Sequence, residues 1–96
     1  MQKLQSGIIR KRIRVYGSVQ GVGFRYLARQ AAGYLGLTGW IRNEYDGSVL
    51  MELQGEPYAV DRLLPAVQNG RWICISDTQE EEIPLQDTER SFRVLF

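Results

Sequence analysis

Between Ile9 and Leu35 the spacing of apolar residues changes from two to about 3.6, and the change falls on a stretch that holds three glycines. Over Ile9 to Tyr16, Ile13 and Val15 alternate with Arg12, Arg14 and Tyr16, the period of a strand with one face in a core. Phe24, Leu27, Ala28, Ala31 and Leu35 then recur at helical spacing, with Arg25 and Arg29 off that stripe. The chain therefore passes from a strand through "GSVQGVGFRY", Gly17 to Tyr26, into a helix that Gly36 closes. "LTGWIRN" and "SVLMELQ" read as antiparallel strands joined by "EYDG", where Asp46-Gly47 supplies the positive backbone angle of a short connection. Pro57 opens a second helix with Val60, Leu63, Leu64 and Val67 on one face and Gly70 at its end. An interior proline costs a helix about 3 kcal/mol, so Pro65 predicts a kink or a late start. "WICISDTQE" and "SFRVLF" read as two further strands, with "EEEIPLQDTER" between them as a surface loop.

This order predicts an α+β fold, a ferredoxin-like α/β sandwich (βαββαβ) with a short final strand: a mostly antiparallel sheet of four to five strands with two helices on one face. Arg10, Arg12 and Arg14 fall on the wet face of the sheet, where they would serve solubility. Trp40, Trp72 and the five tyrosines read as core or strand-packing residues. The chain of 96 residues suits one core, a domain over 8–96 behind a flexible segment at 1–7.

Composition narrows the chemistry. Hydrophobic residues make up 44% and charged ones 24%, and no apolar run approaches the ~20 residues of a membrane-spanning helix. The N-terminus shows no secretory signal, which predicts a cytoplasmic protein without a membrane partner. Cys74 is the one cysteine, so no internal disulfide forms, and in "RWICIS" it reads as a small buried apolar residue. There is no histidine, which removes Ser-His-Asp and Cys-His catalysis and the commonest zinc ligand. Residues 1–47 carry eight Lys/Arg against two Asp/Glu, and residues 48–96 carry four against nine, so the basic half holds the glycine stretch and would draw an anion toward it.

A loop that runs from a strand into a helix aims unpaired N–H groups and the positive end of the helix dipole at one point. The glycines alone fit a tight turn as well as an anion cradle, and without a following Lys-Ser/Thr pair they do not form a nucleotide-binding P-loop. Arg25 adds a guanidinium in the first helical turn, where it can grip two phosphate oxygens. Asn43 alone fits a turn residue before a hairpin.

At "VYGSVQGVGFR" the chain resembles the phosphate-loop motif of the acylphosphatase family, and "LGLTGWIRNEYDGSV" resembles that family's second conserved block. The likeness covers most of residues 12–64 and is weaker beyond. It implies that Arg25 is the phosphate-binding catalytic arginine and Asn43 the asparagine that orients the attacking water. The backbone of Ser18, Val19, Gln20, Gly21, Val22, Gly23 and Phe24 would form the phosphate cradle. Glu44 and Tyr45 after the asparagine are a local variation. The resemblance implies hydrolysis of a small acyl phosphate to carboxylate and inorganic phosphate, by a monomer with no metal, other cofactor or nucleic-acid partner.

Three other readings compete. "QGVGFRY" faintly echoes the strand motif of RNA-recognition domains, but here it follows the first strand, Val22 replaces an aromatic, and the chain continues as helix. Similar domains open hydrogenase-maturation proteins that take carbamoyl phosphate, where a cysteine-rich segment would be expected to follow. A structural module that keeps the loop without hydrolysis is the third.

Overall fold

A computed structural model describes residues 7–96. Seven elements follow one another: β1 (Ile9–Ser18), α1 (Phe24–Leu35), β2 (Thr38–Asn43), β3 (Val49–Gly55), α2 (Pro57–Gln68), β4 (Cys74–Ile83) and β5 (Phe92–Val94). The strands form one sheet in the order β4-β1-β3-β2-β5, with β5 parallel to β2 and every other pair antiparallel. This is the expected βαββαβ sandwich with a short added strand. The flexible segment expected at 1–7 lies, except for Gly7, outside the described residues.

The core is aliphatic apart from Phe24. Ile13 and Val15 from β1, Ile41 from β2 and Val49, Met51 and Leu53 from β3 meet Phe24, Ala28 and Ala32 of α1 and Ala59, Val60, Leu63 and Val67 of α2. Each set follows from its period, two for strands and 3.6 for helices, with Ala32 joining the α1 stripe where Leu27, Ala31 and Leu35 flank it half-buried. α1 closes as expected at Gly36, where the Leu37 N–H bonds the Ala32 carbonyl at 2.9 Å in a Schellman arrangement. α2 starts at Pro57 and runs through Pro65 to Gln68, so the late start does not occur. Its cap is Asn69 rather than Gly70.

Four expectations need correction. Arg10 is 1% exposed rather than on a wet face, because the segment after β4 folds over the outer sheet surface and brings Glu89 onto it. Glu80 to Ile83 belong to β4, not to a loop: antiparallel pairing with β1 sets Arg12 opposite Glu81 and Lys11 opposite Glu82. Cys74 is exposed, because it is the first residue of β4, an edge strand of the sheet. Trp72 and four tyrosines, Tyr26, Tyr34, Tyr45 and Tyr58, are exposed, because their helical phase or loop position turns them from the core and Phe24 supplies its aromatic bulk.

Candidate functional site

The loop between β1 and α1 begins at a β-bulge. The β1–β4 register shifts between Tyr16 and Gly17, and Gly17 has φ 126°, where a Cβ would collide with the Cys74 carbonyl. After Ser18, the last residue paired with β4, Val19 is buried at 1% exposure, Val22 packs half-buried against the core and Phe24 lies within it. These apolar anchors pin the loop while its backbone arches between them. Gly23 caps α1 with φ 84°, and no atom lies within 4 Å of where its side chain would stand. No acidic residue occupies the first turn of α1, so nothing there offsets the positive end of its dipole.

The consequence is a row of free donors. Leu27 makes the first helical bond, to the Gly23 carbonyl at 3.1 Å, and no N–H from Val19 to Tyr26 meets an acceptor among the described residues. The positive-φ turn at Gly21 and Gly23 is what leaves these groups unpaired.

Arg25, in the first turn of α1, is half-buried. Its guanidinium donates to the Leu95 carbonyl at 3.4 Å and lies 5.1 Å from the centre of the Phe96 ring. Leu95 in turn donates its N–H to the Ile41 carbonyl on β2 at 2.8 Å. Asn43 stands two residues beyond Ile41, on the same strand face and roughly 7 Å along it. The C-terminal segment thus links the arginine to the strand that carries the asparagine.

The Asn43 Oδ1 atom is buried and has no hydrogen-bond partner among the described residues. Asn43 lines a cavity of about 540 Å³ together with Arg42, Glu44 and Tyr45. Arg42 points to the other sheet face, as strand alternation requires, where its Nε donates to Glu44 Oε2 at 2.9 Å and its guanidinium stacks on Trp40. The β2–β3 turn closes by the Glu44 N–H to the Ser48 carbonyl at 2.9 Å. Hydrogen bonds from the Ser48 hydroxyl and then its N–H hold the Asp46 carboxyl below its usual range.

Two contributions escaped the reading of the sequence. The Gln20 side chain reaches from the loop to the β2–β3 turn, donating to the carbonyls of Glu44 at 2.7 Å and Ser48 at 2.8 Å. The C-terminal Leu95 and Phe96 hold Arg25. Gln20 lies inside the glycine motif, but its partners are more than twenty residues away and no local spacing announces them.

Comparison with known proteins agrees with the geometry. The acylphosphatase family model matches residues 11–94. Acylphosphatase from Oceanobacillus iheyensis is 46% identical over 80 residues, covering 81% of this chain and 87% of the relative. That of Bifidobacterium longum is 44% identical over 91 residues, covering 93% and 94%. The crystal structure of acylphosphatase from Bacillus subtilis superposes with a TM-score of 0.84 at 32% identity, covering 92% of this chain and 99% of that one. On these grounds, joined to a shared fold and a glycine loop that opens onto an arginine-led helix, the chain belongs to the acylphosphatase family.

Proposed function

We propose that the acylphosphatase activity of this chain is carried by Arg25, Asn43 and the main-chain N–H groups of Val19 to Phe24, with Ser18, paired with β4, fixing where the cradle begins. The phosphoryl group of a small acyl phosphate sits against the loop, where amide donors and the α1 dipole meet its negative oxygens. The N–H groups of Arg25 that Leu95 does not engage fork onto two of those oxygens. The Asn43 carboxamide, in the wall of the cavity it lines, hydrogen-bonds a water and directs it at phosphorus, opposite the acyl oxygen.

Chemistry makes this set sufficient. An acyl phosphate is a mixed anhydride whose carboxylate leaving group has a pKa of about 4, so it departs unprotonated near neutral pH and needs no general acid. The water oxygen bonds to phosphorus as the bond from phosphorus to the acyl oxygen breaks, and the electron pair leaves with the carboxylate. A carboxamide is too weak a base to take the water's proton, which passes to a phosphoryl oxygen instead. What remains is positioning and stabilisation of charge on the equatorial oxygens.

The observation that carries this reading is the run of unpaired N–H groups from Val19 to Tyr26 at the foot of Arg25's own helix. The reading includes inorganic phosphate as a product that occupies the same cradle. It also includes a monomer acting in the cytoplasm, since one chain supplies every group named and the sole cysteine calls for no oxidising compartment. Benzoyl phosphate provides the test. The protein is expected to accelerate its hydrolysis by orders of magnitude, with competitive inhibition by inorganic phosphate. Release of benzoate at the uncatalysed rate would overturn the proposal.

A further inference from the structure

The structure assigns Gln20 a positioning role: its carboxamide clamps the β2–β3 turn to the glycine loop and so holds Asn43 in register with the phosphate cradle. This rests on the proposed site. Both Nε2 protons have defined acceptors, the Glu44 carbonyl at 2.7 Å and the Ser48 carbonyl at 2.8 Å. Two carbonyls facing one end of the carboxamide require the NH₂ group there, so the amide cannot be turned around.

The turn it grips is the one that follows Asn43. The peptide unit between Asn43 and Glu44 is fixed by the Glu44 N–H on the Ser48 carbonyl, and the next unit by Gln20 on the Glu44 carbonyl. The backbone angle that aims Asn43 is therefore bounded on its C-terminal side by one bond within the turn and one that Gln20 brings from the loop. Arg14 braces the same turn from the outer face through Glu44 Oε1 at 3.4 Å and Ser48 Oγ at 3.1 Å. Arg14 holds side chains, however, and Gln20 alone ties the turn's main chain to the cradle among the described residues. Because Asn43 Oδ1 has no partner of its own, nothing else bonded to that atom sets its direction.

Gln20→Met keeps the side-chain length and removes both donors. With benzoyl phosphate it is expected to lower kcat about tenfold or more, as displacement of an attacking group by a fraction of an ångström does, while KM and the inhibition constant for phosphate stay within about twofold. A role confined to loop shape would raise both constants instead, and that outcome overturns the inference. Combined with Asn43→Ala, Gln20→Met is expected to add little further loss, since the group it positions is gone, whereas multiplicative losses would refute it. Gln20→Glu, a second variant of near-native shape, should be slower still near neutral pH and recover toward Gln20→Met as the new carboxyl protonates. Hydrogen exchange at the Glu44 N–H, read in the same proteins, keeps this test separate from the activity itself. If the wild type hydrolyses no acyl phosphate the proposed function fails, while exchange that Gln20→Met leaves unchanged overturns the clamp in either case.

Discussion

Asn43 keeps a side-chain oxygen out of water and gives it no partner among the described residues. A bond left unmade in this way costs a folded protein about 1–3 kcal/mol, so the residue is held against stability rather than for it. Asn43→Ala is expected to melt at or above the wild-type temperature by calorimetry while hydrolysis of benzoyl phosphate falls about a hundredfold or more, the effect of removing one group that acts on the transition state. Arg25→Ala should match it in kcat/KM, with a circular dichroism spectrum like that of the wild type. Arg25→Lys should restore little, because a point charge cannot reproduce the planar fork while also reaching Leu95. Near wild-type turnover in either alanine variant would remove that residue from the site.

The hinge between β1 and α1 is the element on which the site depends. Gly17 sits at the bulge with φ 126°, and a methyl group there runs into the Cys74 carbonyl and crowds the Ser76 nitrogen. Since both obstacles are backbone of an adjacent strand, neither can swing aside. Gly17→Ala is expected to destabilise the fold by about 2 kcal/mol or more in urea unfolding, through steric clash and a backbone angle that L-residues resist. Loss of phosphate inhibition should accompany it, because the bulge sets where the loop begins. Gly7→Ala, at an exposed position with open space around it, serves as the neutral control.

Across the whole molecule, the charge division visible in the sequence is largely cancelled by pairing. β1 carries Arg10, Lys11 and Arg12, and antiparallel β4 and β3 set carboxylates beside them: Lys11 with Glu80, Arg12 with Glu81 and Glu52, Arg10 with Glu52. Glu89 completes the buried Arg10 network at 2.7 and 3.1 Å. Removing Arg10 strands Glu52, itself 7% exposed, with only Arg12, and Arg10→Ala should cost about 3–5 kcal/mol in chemical denaturation. Burial pushes the Glu89 carboxyl up, but the hydrogen bonds of Arg10 and then Thr38, with the charges of Arg10 and Arg93, outweigh it and leave the group below its ordinary value of 4.5. A carboxyl lowered on folding binds protons more readily when unfolded. Its contribution is therefore complete above 4.5 and is lost as pH falls through that value toward the lower folded one. Measured by urea unfolding, the stability gap between wild type and Glu89→Gln should be constant above about pH 5.5 and narrow progressively below 4.5. A gap that does not change with pH would show that Glu89 acts by packing alone.

How much could be read in advance depended on the range of the interaction. Strand and helix periods, the Gly36 cap and the Asp46-Gly47 turn are local, because side-chain direction repeats every two or 3.6 residues and special backbone angles belong to single positions, so the chain alone determined the βαββαβ order and most of the core. The glycine loop and Arg25 were legible for the same reason: the consecutive residues from Gly17 to Arg25 make the bulge, the turn and the helix start. Tertiary structure decided what depends on pieces distant in the chain. Arg10 became a buried cation only because Glu52 and Glu89 arrive from 42 and 79 positions away. Asn43 gained its relation to the loop through Gln20 and through Leu95, contacts that no local period encodes. Backbone geometry is written residue by residue, whereas a hydrogen bond between distant segments exists only once the sheet has brought both ends together.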